Sequence, residues 1–306
     1  KVYWDIFYCR SNDDFIKELE KEFGFDKPPL ERFLNMLWDY MRFDFGESYF
    51  RSISVFDLVI EKMPVSITLG LWSTLLAYLV SIPLGIKKAV TDGSDFDTWT
   101  SGIIILAYAI PGFISILVFK GLLNPDFGLV NDWFGPLYEL FNVEPINWFR
   151  TKESSRAAVL LVNTWLGFPY MFLITTGALQ SIPNELLEAA KVDGATPRQS
   201  FWRITFPLLL VAISPLLIGA FAFNFNNFTL IFLLTSGGPP IVGADVAVGY
   251  TDILISFTYD LAIAGGRGYQ FGLAASVTTI IFLIVLFISA VSFRYSKRLE
   301  RVYGNL

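Results

Sequence analysis

The sequence contains no histidine and one cysteine, Cys9, in 306 residues. Without histidine, the chain lacks the side chain that most often binds metals or exchanges protons near neutral pH. A single cysteine permits no internal disulfide and says little about the redox compartment. Acidic and basic residues together make up only 17% of the chain. We therefore predict no metal site.

Basic stripes and nucleotide-binding motifs are missing as well. The formal net charge is −5, and a chain without a basic stripe cannot neutralise phosphates, so we predict no nucleic-acid partner. The glycine-rich stretch 265–268 is not followed by Lys-Ser/Thr and no strand precedes it, which argues against a phosphate-binding loop. No Walker A pattern occurs, so the chain is not expected to hydrolyse ATP.

What the chain has instead is apolar residues, at 54%, with 30 Phe and 8 Trp. Five long stretches carry no Asp, Glu, Lys or Arg: 65–86, 101–119, 157–184, 204–244 and 268–293. About 18–20 apolar residues span a bilayer as a helix, and these runs lack the alternation of a barrel. We predict an all-α membrane protein with transmembrane helices at about 65–86, 101–122, 157–180, 207–232 and 271–293.

The remaining segments suggest two regions and an orientation. Residues 1–64 are predicted to form an extracytoplasmic amphipathic region with a helix from Leu30 to Phe43, followed by a transmembrane domain over 65–306. Lys and Arg concentrate near residues 87–88, in the loop 181–207 and in the tail after Phe293. Positive residues favour the cytoplasmic side, which places the C-terminus inside and the N-terminus outside. The opening at Lys1 carries no signal peptide, and we expect an earlier segment.

The loop 181–207 is the most specific polar feature. Pro183 and Asn184 end the third span, acids follow in a first helical turn, and Gly194 ends that helix. Thr196-Pro197-Arg198-Gln199 fits a capping box with proline at the first helical position, which predicts a second short helix. A simple re-entrant or interfacial hairpin is the alternative interpretation.

This loop resembles the cytoplasmic loop of ABC importer permease subunits. The match consists of Glu188-Ala189-Ala190, three intervening residues, Gly194, nine more residues, and Ile204-Thr205-Phe206-Pro207; Phe206 departs from the commoner Leu. The resemblance implies type I permease architecture, two ATP-binding cassette subunits that hold ATP-Mg, a second permease subunit and an extracytoplasmic substrate-binding protein. No cofactor would bind this chain directly. The implied coupling residues are Glu188, Ala189, Ala190, Asp193, Gly194, Ile204 and Pro207.

The two parts of the chain resemble different branches of that family. From about residue 109 to the end, the chain is similar to the larger permease subunits of maltose-type importers, for example at 163–171, 221–228 and 271–275. Residues 22–113 look like di/oligopeptide permease subunits, for example at 23–28, 36–46 and 65–74, and that branch has a further N-terminal helix. The join lies near 108–113. Its origin by natural recombination, engineering or computation stays open.

Asparagines inside two predicted spans point to a binding site, since polar groups in a bilayer are costly and often functional. Asn224 and Asn227 share a helix face with Phe223 adjacent, and Asn163 and Tyr170 recur on the preceding span with Gly167 between them. Amides beside aromatic rings suit a neutral polyol, whose hydroxyls need paired hydrogen bonds. Hydrogen bonding between helices is the alternative role of such asparagines.

The resemblance assigns these positions to sugar binding. In maltose-type subunits the sugar contacts match Asn163, Leu166, Gly167, Tyr170, Phe223, Asn224, Asn227 and Thr229, where Thr229 replaces an apolar residue. Because both helices belong to the sugar-like half and carry no charge, we predict a malto-oligosaccharide importer permease of the bacterial inner membrane, with di/oligopeptide import as the alternative. A membrane-embedded enzyme would need acids, His or a nucleophile inside the spans. A non-transporting scaffold remains a further alternative.

Overall fold

The computed structural model describes residues 12–22, 24–48, 53–91, 93–243, 248–264 and 270–303. Contacts divide the chain into two compact units, residues 1–57 and 58–306. Among the described residues, four helices are long and apolar enough to cross a bilayer, and a sharply bent helix pair makes a fifth span when the pair is counted as one. The predicted all-α architecture with about five spans is therefore confirmed.

The described part of the first unit contains two helices and a pair of short strands: α1 (Asn12–Glu22), α2 (Pro29–Met41), and the antiparallel strands β1 (Glu47–Ser48) and β2 (Ile53–Ser54). The helix predicted from Leu30 thus exists, and Pro29 occupies its first turn, where a missing N–H costs nothing. None of its residues is buried. Its large apolar side chains are exposed, from 39% at Met36 to 70% at Leu30.

The described helices of the second unit follow one another along the chain, and the longest connection between them covers residues 235–253. They are α3 (Val55–Val90, which starts in the first unit), α4 (Asp95–Ala109), α5 (Gly112–Leu122), α6 (Leu129–Phe141), α7 (Lys152–Gln180), α8 (Asn184–Val192), α9 (Pro197–Ser200), α10 (Phe206–Phe225), α11 (Phe228–Leu234), α12 (Leu254–Tyr259) and α13 (Phe271–Tyr303). π-helical turns over Phe201–Thr205 and Asp260–Ala264 follow α9 and α12.

The span predicted over 101–122 is not one continuous helix. It breaks between α4 and α5, and the two helices meet at 100°. Ile110 is extended there, at φ −98° and ψ 123°, because a residue before proline is pushed out of the helical region. Pro111 then caps α5. The prediction of an unbroken helix was wrong because hydropathy does not register this restriction.

The span predicted over 207–232 is also broken. The helix α10 ends at Phe225 and α11 begins at Phe228, with Asn226 and Asn227 between them. Asn227 has φ −75° and ψ 70°, outside the helical region. The apolar run continues through both helices, so only the asparagine pair marked the break in the sequence.

Two buried clusters hold the spans of the second unit together. One joins α3, α5, α7 and α11 and contains Leu69, Ile116, Val162, Leu230 and Leu234. The other joins α3, α7 and α10 through Tyr78, Met171, Leu209 and Ile213. Between them, small residues bring α3 and α7 close: Ser81 Oγ donates to Phe168 O over 3.0 Å. Close helix approach through small residues is typical of membrane interfaces.

Gly85 of α3 offers a direct test of this packing. A Cβ at Gly85 would lie 2.9 Å from Phe172 O and from Thr175 Cβ on α7, so Gly85→Ala forces the helices apart. Overpacking of this kind costs about 1–3 kcal/mol, and we expect a lower thermal midpoint in detergent.

The matched control is Gly102→Ala on α4, where a Cβ would meet no atom within 4 Å. That variant should melt no lower than wild type, because alanine favours helix over glycine. Equal midpoints for the two variants would contradict the predicted α3–α7 contact.

Candidate functional site

A cavity of about 830 Å³ lies where the two broken spans meet α3 and α7. The α4–α5 junction forms one side of it, and the α10–α11 break forms another. None of the described residues that line it is Asp, Glu, Lys or Arg. The polar groups on its wall are the amides of four asparagines, the hydroxyls of two threonines and those of three tyrosines: Asn163, Asn224, Asn226, Asn227, Thr74, Thr229, Tyr78, Tyr108 and Tyr170.

The structure brings the eight predicted substrate residues together on this cavity: Asn163, Leu166, Gly167 and Tyr170 from α7, Phe223 and Asn224 from α10, Asn227 from the break, and Thr229 from α11. Phe223 is 68% exposed and Tyr170 48%, so both rings are open to an incoming ligand. Gly167, in contrast to these rings, faces another helix: a Cβ there would lie 3.5 Å from Ala77 Cβ on α3. This glycine therefore sits where α7 packs against α3.

Asn227 makes the break possible by capping α11. Its Oδ1 accepts a hydrogen bond from the backbone N–H of Leu230 at 3.3 Å, which satisfies one of the free donors at a helix N-terminus. Its Nδ2 donates to Oδ1 of Asn163 at 3.2 Å. The cap and the link to α7 explain why an asparagine can stand at this depth.

Asn224 makes a second link between spans. Its Nδ2 donates to Thr74 Oγ1 on α3 at 2.9 Å. The alternative role of these asparagines, hydrogen bonding between helices, is therefore present in the structure, and it coexists with their position on the cavity wall.

Sequence reasoning missed one whole side of the cavity. Thr74, Ala77 and Tyr78 come from α3, and Tyr108 and Phe113 come from the α4–α5 junction. Tyr78 is held by a hydrogen bond from its hydroxyl to Leu216 O at 3.2 Å. The signal available in the sequence was the Ile110-Pro111 pair, which places a helix break inside a span.

The loop between α7 and α10 has the predicted helix–glycine–helix form. Gly194 has φ +78°, a backbone conformation that favours glycine. Its N–H donates to Lys191 O at 3.0 Å and that of Ala195 to Ala190 O at 2.9 Å, the pair of hydrogen bonds that closes a Schellman motif. The capping box between Thr196 and Gln199 that begins α9 is also present.

Five of the seven predicted coupling residues surround a groove of about 470 Å³ between α8 and α9: Ala189, Ala190, Asp193, Gly194 and Ile204. Glu188 is exposed on α8 but does not line the groove, and Pro207 lies in the first turn of α10. Arg203 and Gln199 add polar groups to the groove. The groove is short, partly polar and open, which suits contact with another protein.

After α11, the described residues 235–243 and 248–253 are linked by hydrogen bonds. Thr251 Oγ1 donates to Gly238 O at 2.7 Å, and Asp252 accepts hydrogen bonds from Gly249 N at 2.7 Å and Ser256 Oγ at 2.9 Å. A Cβ at Gly237 would overlap the Asp252 carboxylate, so glycine is required there. The loop is tied to α3 by the hydrogen bond from Leu254 N to Ser66 Oγ at 2.8 Å.

Asp252 makes stability depend on pH. Burial raises the pKa of its carboxyl from 3.8 to about 6, although the hydrogen bonds from Gly249 and Ser256 lower it. Because the folded-state pKa is the higher one, protonation favours folding. This contribution, on the order of 3 kcal/mol, is full below about pH 4 and is lost as pH rises through 6.

We expect the thermal midpoint in detergent to fall between pH 4.5 and pH 7. The Asp252→Asn variant should show a smaller fall, because it removes this titration and leaves other acids in place. An identical pH dependence in both proteins would contradict the assignment.

The chain is similar to known transport proteins in sequence and in fold. The family profile described as "Binding-protein-dependent transport system inner membrane component" matches residues 81–301. The chain is 50% identical over 195 residues to the maltose/maltodextrin transport system permease protein MalF of Salmonella typhimurium (strain LT2), a match covering 64% of this chain and 37% of that protein. The Escherichia coli (strain K12) protein of that name is 49% identical over equal coverage. The chain thus spans little more than a third of these relatives.

Solved structures share the fold. A chain of a bacterial alginate ABC transporter, in complex with an alginate pentasaccharide-bound periplasmic protein, superposes with a TM-score of 0.64 at 21% identity, covering 92% of this chain and 94% of that one. A chain of the methionine transporter MetNI in an inward-facing conformation gives 0.51 at 18% identity, covering 79% and 96%. At these identities the likeness concerns the fold alone.

Proposed function

Because the chain belongs to the family of binding-protein-dependent transport system inner membrane components, we propose that it is the permease subunit of an ATP-driven importer. In this proposal its spans form the path of a malto-oligosaccharide across the membrane, and the loop 181–207 couples that path to ATPase subunits. The chain itself is a multi-pass protein of the bacterial inner membrane.

The cavity at the two helix breaks is the observation that carries the proposal. It lies among membrane-spanning helices, opens beside exposed aromatic rings and has amide groups on its wall. Irregular backbone at membrane depth is tolerated where it lines a cavity, and discontinuous helices form the substrate sites of other membrane transporters. A transport path accounts for the breaks, the asparagines and the aromatic rings together.

An uncharged oligosaccharide fits this cavity better than a peptide. Sugar hydroxyls need both donors and acceptors, which amides and phenols supply, and the ring faces of sugars pack on aromatic side chains. The two termini of a peptide would instead require charged partners, and the described lining has none. The relatives named as maltose/maltodextrin permeases favour the same cargo. Peptide import is the alternative, since α3 and α4 come from the segment that resembles peptide permeases.

The proposed assembly includes two ATP-binding cassette subunits, a second permease subunit and an extracytoplasmic binding protein. ATP-Mg would bind in the cassette subunits, and this chain would hydrolyse no ATP and hold no cofactor. The binding protein would deliver sugar on the side that carries the N-terminal region. The groove between α8 and α9 would receive side chains of a cassette subunit on the cytoplasmic side.

Charge reversal at Glu188 tests the coupling role. Because Glu188 is exposed on α8 beside the groove, Glu188→Lys should leave the fold intact. It should weaken binding of the cassette subunit, because it removes an attractive charge pair or creates a repulsive one. We expect maltotriose uptake in reconstituted vesicles, and the ATPase activity stimulated by binding protein, to fall roughly tenfold or more.

Glu139→Lys is the matched control, since it makes the same charge change on an exposed position of α6. It should transport like wild type. Normal uptake and normal stimulation of ATPase in Glu188→Lys would remove the coupling role from this residue.

Direct binding distinguishes sugar from peptide. The complex should bind maltotriose, and tri-alanine should not compete for that binding. Asn224→Ala should weaken maltotriose binding about tenfold, the equivalent of one lost hydrogen bond. Thr279→Ala on α13 is the control, because Thr279 lies outside the cavity lining and its hydroxyl donates to Ala275 O of its own helix; this variant should bind normally. Binding of tri-alanine without maltotriose would reverse the assignment of cargo.

A further inference from the structure

We propose that Thr74 of α3 is a positioning residue for the cargo site. By accepting a hydrogen bond from Nδ2 of Asn224, it leaves Oδ1 of Asn224 as the acceptor for a hydroxyl of the cargo. This inference rests on the proposed function, because it concerns how the same cavity selects its ligand. Thr74 was not among the residues predicted to bind substrate.

The hydroxyl of Thr74 has only one proton, and the backbone takes it. Thr74 Oγ1 donates to Gly70 O one turn earlier, at 2.8 Å, a bond typical of threonine in helices. Its lone pairs remain, so the group that faces it must be a donor. That group is Nδ2 of Asn224, 2.9 Å away. The hydroxyl thereby decides which end of the amide points toward α3.

Close contact between α3 and α10 keeps the two side chains in register. A Cβ at Gly70 would lie 3.1 Å from both N and Cα of Phe225, so the two backbones nearly touch one turn from Thr74. Thr74 is only 6% exposed, which keeps water from replacing it as the acceptor. Within the described residues, Oδ1 of Asn224 receives no hydrogen bond and is left for a ligand.

The neighbouring amides are oriented by a different and independent constraint. A backbone N–H can only donate, so the atom of Asn227 that faces Leu230 N must be Oδ1. Nδ2 of Asn227 therefore faces Asn163, and the atom of Asn163 that receives it must be Oδ1. The amide orientations follow from the network of partners.

The result is a cavity wall with fixed polarity. Asn224 offers an acceptor, while Asn163 and Asn227 keep amide protons that are not used in their mutual hydrogen bond. Neighbouring sugar hydroxyls can donate to the first and accept from the second. A wall with freely turning amides would distinguish such ligands less well.

The test compares Thr74→Val, which keeps the shape and loses the hydroxyl, with Thr74→Ser, which keeps it. Both are measured in the full complex with its partner subunits, using maltotriose uptake by vesicles. Thr74→Val should raise KM about tenfold, as expected for one hydrogen bond, with kcat retained. Thr74→Ser should stay within about twofold of wild type.

Deoxy analogues of maltotriose supply a readout that a merely structural role would not move. In wild type, one analogue should bind about tenfold more weakly because it lacks the hydroxyl that donates to Asn224. Thr74→Val should bind that analogue and maltotriose almost equally. Full discrimination and a wild-type KM in Thr74→Val would overturn the inference.

Two further arms keep the result decisive. Should Thr74→Val fail to assemble, Thr74→Cys replaces it, since a thiol is a weak acceptor, and the same loss of discrimination is expected. In the Asn224→Ala background, neither Thr74 variant should raise KM further. If the wild-type complex does not bind maltotriose, the result counts against the proposed function. If wild type and the Thr74 variants discriminate equally among the analogues, the result counts against this inference alone.

Discussion

The hydrogen bond from the backbone amide of Leu230 to Oδ1 of Asn227 is the interaction on which the cavity depends. In hydrocarbon no water can satisfy a backbone group freed at a helix end. The break after α10 therefore persists only because Asn227 caps α11 and because Asn226 N still reaches Phe223 O at 3.1 Å. Without these partners the apolar run would favour one straight helix, and the space between α7 and α10 would close.

The capping requirement also explains why the cavity wall is polar. An asparagine that caps a helix inside the bilayer has a second end, and that end needs a partner as well. Asn163 on α7 provides it at 3.2 Å. The same two amides line the cavity, so the groups that allow the helix to break are those that the proposed cargo would meet. Structural and binding roles cannot be separated at Asn227, because its side chain caps a helix. The side chain of Asn224, in contrast, bonds to another side chain, that of Thr74, and caps no helix.

Features that depend on contacts between residues close in sequence could be predicted, whereas features that depend on contacts between distant residues could not. The loop 181–207 was predicted in detail because its signals are local: Gly194 is three residues from Lys191, and Thr196 three from Gln199. The spans were equally accessible, since charge-free runs record contact with lipid directly. The Ile110-Pro111 break was local too, but a hydropathy criterion passes over it.

The part of the cavity wall that α3 contributes had no local signal. Thr74 and Asn224 are 150 residues apart in the chain, and a threonine in an apolar helix is ordinarily satisfied by its own backbone. The hydroxyl of Thr74 reaches the amide of Asn224 because Gly70 lets α3 lie close to Phe225 of α10. Resemblance to sugar permeases covered α7 and α10, while α3 and α4 resembled another branch. The wall that α3 contributes could be recognised only from the three-dimensional structure.

The cavity and the loop 181–207 are joined by two continuous helices, each of which contains an internal proline, Pro169 in α7 and Pro215 in α10. The helix α7 carries Asn163 and ends at Gln180, just before the loop, and α10 starts at Phe206, just after it, and carries Asn224 at its other end. At a rise of 1.5 Å per residue, each helix covers roughly 25 Å between the loop and its cavity asparagine. Under the proposed function, a push on the groove between α8 and α9 would act on both helices that carry the cavity amides. Because α3 is linked to these helices by the hydrogen bonds from Ser81 Oγ to Phe168 O and from Asn224 Nδ2 to Thr74 Oγ1, the three walls of the cavity would respond together.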